Sequence, residues 1–140
     1  MIVTRLQRYR CEDDGATAVE FALVLPLLLS ILFGIITFGQ YFAIANSLQQ
    51  FAAEAARYSV SEPFLADREG RAISFLTSPG GRFSFLNGSH ISADIDMIEG
   101  TMPAIQITLT YDLSGTAVEV ADSFLGIGIT DITRSSYLAY

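Results

Sequence analysis

The hydrophobic pattern divides the chain near residue 60. Residues 21–53 carry no charged side chain, and thirteen of the eighteen residues at 21–38 are Phe, Leu, Ile or Val. Each contributes about −0.3 to −0.6 kcal/mol at mid-membrane, a sum of about −4 to −8 kcal/mol that absorbs Pro26 and two glycines. A helix of this length and composition crosses a bilayer, with the transmembrane part at about 21–42. Beyond it the pattern becomes amphipathic: Leu48, Phe51, Ala52, Ala55 and Tyr58 recur at three- and four-residue spacing, while Asn46, Gln49, Gln50, Glu54 and Arg57 fall elsewhere. One helix over 16–61 would measure about 70 Å, well beyond a membrane, so its outer third is expected to pack on a soluble domain. Pro63 restricts Glu62 and ends it. Pro26 removes one backbone donor and predicts a kink or local break.

Residues 64–77 read as a short second helix, weakened by Gly70 and ended by Ser78-Pro79-Gly80-Gly81. Residues 82–89 are ambiguous: Phe83 and Phe85 alternate as in a strand, but Asn87-Gly88 turns the chain. Ile91, Ala93, Ile95 and Met97 then alternate with polar residues. After a turn at 99–103, Ile105, Ile107, Leu109 and Tyr111 do the same. This is an antiparallel hairpin with one wet face. A loop at 114–126 holds a helical turn around 120–125, and a third strand is expected over 126–140. There Ile127 and Ile129 share one parity, Ile132 and Leu138 the other, which suggests a bulge near Asp131. Three strands with one apolar face need a cover, which the amphipathic end of the long helix supplies. The fold class is α+β: a long N-terminal transmembrane and amphipathic helix packed on a small antiparallel sheet, with a short second helix.

Composition narrows the function. The chain has 140 residues, a net charge of −7 and eight basic residues, all Arg. With no basic stripe to neutralise phosphates, nucleic-acid binding is excluded as a reading. The one cysteine, Cys11, lies ahead of the apolar run, so disulfides within the chain and thiolate metal sites are excluded as well. Arg5, Arg8 and Arg10 precede the run and the next basic residue is Arg57, which places the N-terminus in the cytoplasm and residues 62–140 outside.

Glu20 stands against the leading edge of the apolar run, where a carboxylate is costly without a headgroup environment or a cation. Gly15 lies five residues before it. The stretch Gly15-Ala16-Thr17-Ala18-Val19-Glu20-Phe21 resembles the processing site of type IV pilin-like precursors. The longer pattern is similar to the TadE-like family, minor pseudopilins of the tight-adherence (Flp) pilus system: Ala18-Val19-Glu20-Phe21-Ala22-Leu23-Val24-Leu25-Pro26, then Phe33-Gly34-Ile35, Phe38-Gly39 and Ala52-Ala53-Glu54-Ala55-Ala56-Arg57-Tyr58. The resemblance implies a leader at 1–15, removed by a prepilin peptidase that cuts between Gly15 and Ala16. It also implies a pilin-like fold, and an assembly role for Glu20 and Phe21 in which the Glu20 carboxylate meets the α-ammonium of Ala16 in a neighbouring subunit. The implied partners are the prepilin peptidase, other pilin-like subunits, the pilus assembly platform and membrane lipid. On this reading the chain is not an enzyme but the substrate of one, and it takes no cofactor.

Other readings stay open at this level. Residues 1–14 also read as a solvated cytoplasmic arm on an uncleaved single-pass protein whose outer domain binds a partner in an envelope or secretion complex. Ala43-Ile44-Ala45 fits a signal peptidase site that would release a small secreted domain, against which stand an overlong apolar run and four acids ahead of it. Gly34 and Gly39 permit close helix contact but lack the four-residue spacing. His90 stands alone, so it builds neither a His-based metal site nor a triad. Asp94 and Asp96 share one strand face and read either as a solvated face or as a weak cation site. Gly126-Ile127-Gly128 lacks the third glycine of a dinucleotide loop.

Overall fold

The computed structural model describes residues 3–78, 83 and 85–140, with side chains for all of these except 3–14 and Leu65. Its elements run α1 (Val3–Val60), α2 (Leu65–Thr77), β1 (Ile91–Ile98), β2 (Ala104–Asp112), α3 (Ala117–Leu125) and β3 (Asp131–Ala139). By contacts the chain forms two units, Met1–Ile36 and Thr37–Tyr140.

α1 ends where Pro63 requires it to. Ser61 N–H closes a last helical bond on Arg57 O (3.3 Å), and Glu62 N–H tightens onto Ser59 O (3.0 Å) before the proline. At Pro26 the helix continues without the local break expected. Proline's fixed φ is itself helical, so what is lost is one backbone donor and the fit of its ring against the preceding turn. The Ser30 hydroxyl donates to Pro26 O at 2.7 Å.

In the unit Thr37–Tyr140 the fold is a helix on a three-stranded meander. The sheet order is β1-β2-β3, antiparallel throughout. β2 is central and alternates cleanly, with Ile105, Ile107, Leu109 and Tyr111 buried and Gln106, Thr108 and Thr110 half-buried. The buried row packs in one core with Leu48, Phe51, Ala52 and Ala55 of α1. Small residues on α1 let the sheet approach while Leu48 and Phe51 fill the space between, as close packing demands. Ile91, Ile95 and Met97 of β1 are half-buried against the same core, as the alternation implies.

α2 is joined to the end of α1 by polar and ring contacts. The buried Ser59 hydroxyl donates to Arg68 O (2.8 Å), Arg68 Nε donates to Glu62 O (2.9 Å), and the Arg68 guanidinium lies 3.9 Å from the Tyr140 ring centre. α2 ends at Thr77, and the Pro79-Gly80-Gly81 stop lies outside the described residues. Phe83 and Phe85, read as possible strand, are in a helical turn and a turn; Ser84 between them lies outside the described residues. A 3-10 turn at Gly88–His90 follows, opened by the Asn87 side chain accepting from Ser89 N–H (3.2 Å).

Two expectations about the C-terminal third are corrected. α3 starts at Ala117, three residues before the helical turn read from sequence. Thr116 is its N-cap, accepting from Glu119 N–H (3.4 Å), and Glu119 reaches back to Gly115 N–H (2.7 Å). This is a variant of the capping box. The bulge near Asp131 is absent: β3 pairs residue for residue from Asp112↔Asp131 to Ala104↔Ala139. The parity switch arises because Ile127 and Ile129 precede the strand. Gly126, with φ 63° and ψ 35°, ends α3 in the left-handed conformation and begins a loop.

Three contacts order the sheet along α1. Ala117 N–H donates to Gln40 Oε1 (2.7 Å), Gln49 Nε2 donates to Ser135 O (3.1 Å), and Ser59 bonds to Arg68, which covers Tyr140. The start of α3, and with it the Asp112↔Asp131 end of the sheet, thus belongs to the Gln40 end of α1. The β1–β2 turn, tied by Tyr140 N–H to Pro103 O (3.0 Å), belongs to the Ser59 end.

Candidate assembly site on the N-terminal helix

Gly15, Ala16, Glu20 and Phe21 lie on one uninterrupted helical stretch of α1, all exposed, Phe21 at 61%. Ala16 and Glu20 are four residues apart, so they share a face one turn apart. A Cβ added to Gly15 would meet no atom within 4 Å. Packing among the described residues therefore gives no reason for glycine there, while its helical cost relative to alanine is about 1 kcal/mol. In the intact chain the Ala16 nitrogen is an ordinary helical amide. Only a cut after Gly15 would make it a cation.

The apolar residues that follow are exposed around the helix: Leu23 at 75%, Leu27 at 63% and Ile35 at 65%. Within Gly15–Val60, the most apolar 18-residue window has a mean hydropathy of 2.6. A surface of this kind is stable only against lipid or other apolar helices. Gly34 and Gly39 likewise have open space where a Cβ would stand.

Elsewhere the polar groups serve the fold. The exposed Asp94 and Asp96 face Thr108 and Gln106 across the hairpin, and no group of three or more metal-ligating side chains occurs among the described residues. His90 Nδ1 lies 3.2 Å from Asp112 O, and its ring stacks on Tyr111. The Ser114 hydroxyl and N–H both donate to Asp112 and hold its carboxyl below its ordinary pKa. A cleft of about 670 Å³ between α2 and β1, bordered by Ile73, Leu76 and Ile95, carries Glu69 and Asp94 as its charged groups. Sequence reading missed Gln40, whose link to α3 depends on a contact 77 residues away. It also missed the Thr116–Glu119 cap, which the spacing Thr-x-x-Glu signals.

An exposed apolar N-terminal helix, extended into a helix that carries a small antiparallel sheet, defines a membrane-anchored α+β protein with a pilin-like fold. Residues 15–57 match the family model of TadE-like proteins, so the segment with Gly15, Glu20 and the apolar run is a TadE-like one. This associates the chain with the membrane proteins of the Tad/Flp pilus. No curated protein and no solved structure is significantly similar to it.

Proposed function

We propose that this chain is a minor pseudopilin of an Flp-type pilus, a structural subunit without a catalytic role. A prepilin peptidase removes residues 1–15, the transmembrane part of α1 stays in the cytoplasmic membrane, and residues 62–140 lie outside the cytoplasm. The Glu20 carboxylate pairs with the Ala16 α-ammonium of a neighbouring pilin-like subunit, which offsets the cost of a carboxylate at the membrane edge.

The observation that carries this reading is that Gly15, Ala16, Glu20 and Phe21 are all exposed and that a Cβ at Gly15 would meet no described atom within 4 Å. Exposed residues at which packing does not explain the choice point to a use outside the chain. Gly15→Leu is expected to leave the precursor at full length. Glu20→Ala is expected to be inserted and trimmed normally while losing cross-linking to pilin-like partners. Wild-type trimming of the first variant, or wild-type cross-linking of the second, would overturn the respective assignment.

A second reading, an uncleaved single-pass protein with an extracytoplasmic partner-binding domain, draws support from the continuity of α1 through Gly15. It predicts that Gly15→Leu changes nothing.

A further inference from the structure

The last turn of α3 exposes Phe124 at 82% and Leu125 at 68%, and the connection to β3 that follows exposes Ile127 at 63%. Three large apolar side chains within four residues are unusual on a water-facing loop of a small domain. They are also held in place. The Asp122 carboxylate accepts the N–H groups of Gly128 (2.7 Å) and Ile129 (3.0 Å), Gly126 N–H closes on Asp122 O (2.7 Å), and Leu113 N–H bonds Thr130 O (3.0 Å). Gly126 and Gly128, at φ 63° and 83°, supply the left-handed turns that bring the chain round Asp122.

The position of this loop along α1 indicates its environment. Twenty helical residues cover the roughly 30 Å of a bilayer core, so a span that starts at Phe21 ends near Gln40. Gln40 is the residue that accepts from Ala117 at the start of α3. Thr37, one turn earlier and inside the span, is already buried, while Phe38 (67%) and Phe42 (58%) on other faces of α1 are exposed. Within the Thr37–Tyr140 unit the start of α3 is thus bonded to the residue at which a span counted from Phe21 ends, and the apolar segment is at the other end of this short helix.

We propose that the 124–129 segment, the end of α3 and the start of the loop after it, is a membrane-seated foot: Phe124, Leu125 and Ile127 insert into the outer interfacial layer of the bilayer that α1 spans. The seat is apolar and not electrostatic. No basic residue lies between Arg82 and Arg134, and the nearby acids Asp112, Glu119 and Asp122 accept hydrogen bonds from neighbouring backbone N–H groups. Insertion to the depth of an interfacial amphipathic segment, about 5–10 Å, is sufficient to cover the three side chains. A foot of this kind would fix the tilt of the domain on the membrane. The proposal rests on α1 spanning a bilayer and not on pilus assembly.

The chain has no tryptophan, so one introduced residue reports alone. Full-length Phe124→Trp, Leu28→Trp and Met102→Trp are reconstituted separately in phosphatidylcholine vesicles, and emission is read with brominated lipid or with aqueous iodide. Leu28→Trp, mid-span, is expected to lose most of its emission to brominated lipid. Met102→Trp, in the β1–β2 turn at the Ser59 end, is expected to respond only to iodide. Phe124→Trp is expected to shift to the blue and be quenched by brominated lipid, equally at low and high protein-to-lipid ratio and without dependence on anionic lipid.

Iodide quenching of Phe124→Trp like that of Met102→Trp, with Leu28→Trp in lipid, would overturn the foot alone. Shielding of Phe124→Trp that disappears on dilution in lipid would assign the patch to a second copy of the chain and overturn it too. Failure of Leu28→Trp to meet brominated lipid would overturn the membrane reading together with the foot.

Discussion

Two stretches of the same helix, residues 15–36 and 37–60, are both apolar yet differ in where their side chains go. In the first, exposure surrounds the helix, with Leu23, Leu27 and Ile35 all mostly accessible. In the second, Ile44, Leu48, Phe51, Ala52 and Ala55 are buried and the polar residues lie elsewhere. The second stretch is therefore explained by its own chain, by the three-stranded sheet it carries. The first has no such explanation and requires a solvent other than water or a partner other than this chain. Glycine follows the same division: Gly126 is needed for its left-handed φ of 63°, whereas a Cβ at Gly15 would meet no atom of the described residues within 4 Å.

The contrast can be tested most strongly by truncation. Leu109→Ala, in the centre of the core, is expected to cost about 2–5 kcal/mol, a large share of the stability of a small domain. Leu28→Ala, in the exposed stretch, is expected to leave the denaturant midpoint of the domain unchanged in detergent, as is Thr108→Ala on the outer sheet face. Equal losses in Leu109→Ala and Thr108→Ala would mean that both faces of the sheet are covered.

A smaller effect is expected at the start of α3. Thr116→Ala removes the cap of Glu119 N–H and should cost about 1 kcal/mol, read as a lower unfolding midpoint. Asn at this position, which caps as well as Thr, is expected to restore it.

The smallest expected effect is at Asp112, whose folded pKa is depressed by the Ser114 hydroxyl and N–H. A depressed carboxyl stabilises the fold above its unfolded pKa, and that contribution is lost as pH falls through the folded value. Asp112→Asn should therefore be slightly less stable than the parent at neutral pH. The difference should close in acid below the carboxylate range, as followed by denaturant midpoints across pH. A gap that widens on acidification would reverse the sign.

Much of the fold was legible because two periodicities are clean. The alternation at 91–97 and 105–111 gives the hairpin, its register face and its wet side, and the 3.6-residue recurrence at 48–58 gives the helix face that meets it. What failed did so where local chemistry overrides period. Ile127 and Ile129 counted as strand by parity, but two positive-φ glycines and the Asp122 carboxylate wind that segment into a loop, and the inferred bulge goes with it. Pro26 counted as a kink or local break, and of these the break does not occur, since α1 runs through it as helix. The candidate site was legible in a different way. Gly15 and Glu20 stand out through likeness to a processing motif, while physical reading alone assigns only a costly carboxylate at a membrane edge. Contacts such as Gln40 to Ala117 and Arg68 to Tyr140 join residues more than seventy positions apart, and no local pattern encodes them.

On the proposed function the exposed N-terminal stretch serves events outside the chain, first among them a cut that would convert the Ala16 amide into an ammonium. It is tested most directly by determining the N-terminal residue of the protein isolated from membranes of cells that contain a prepilin peptidase. Ala16 is expected as the first residue. Met1 would leave the chain an uncleaved single-pass protein and Asn46 would make it a released domain, and either would contradict a cut after Gly15.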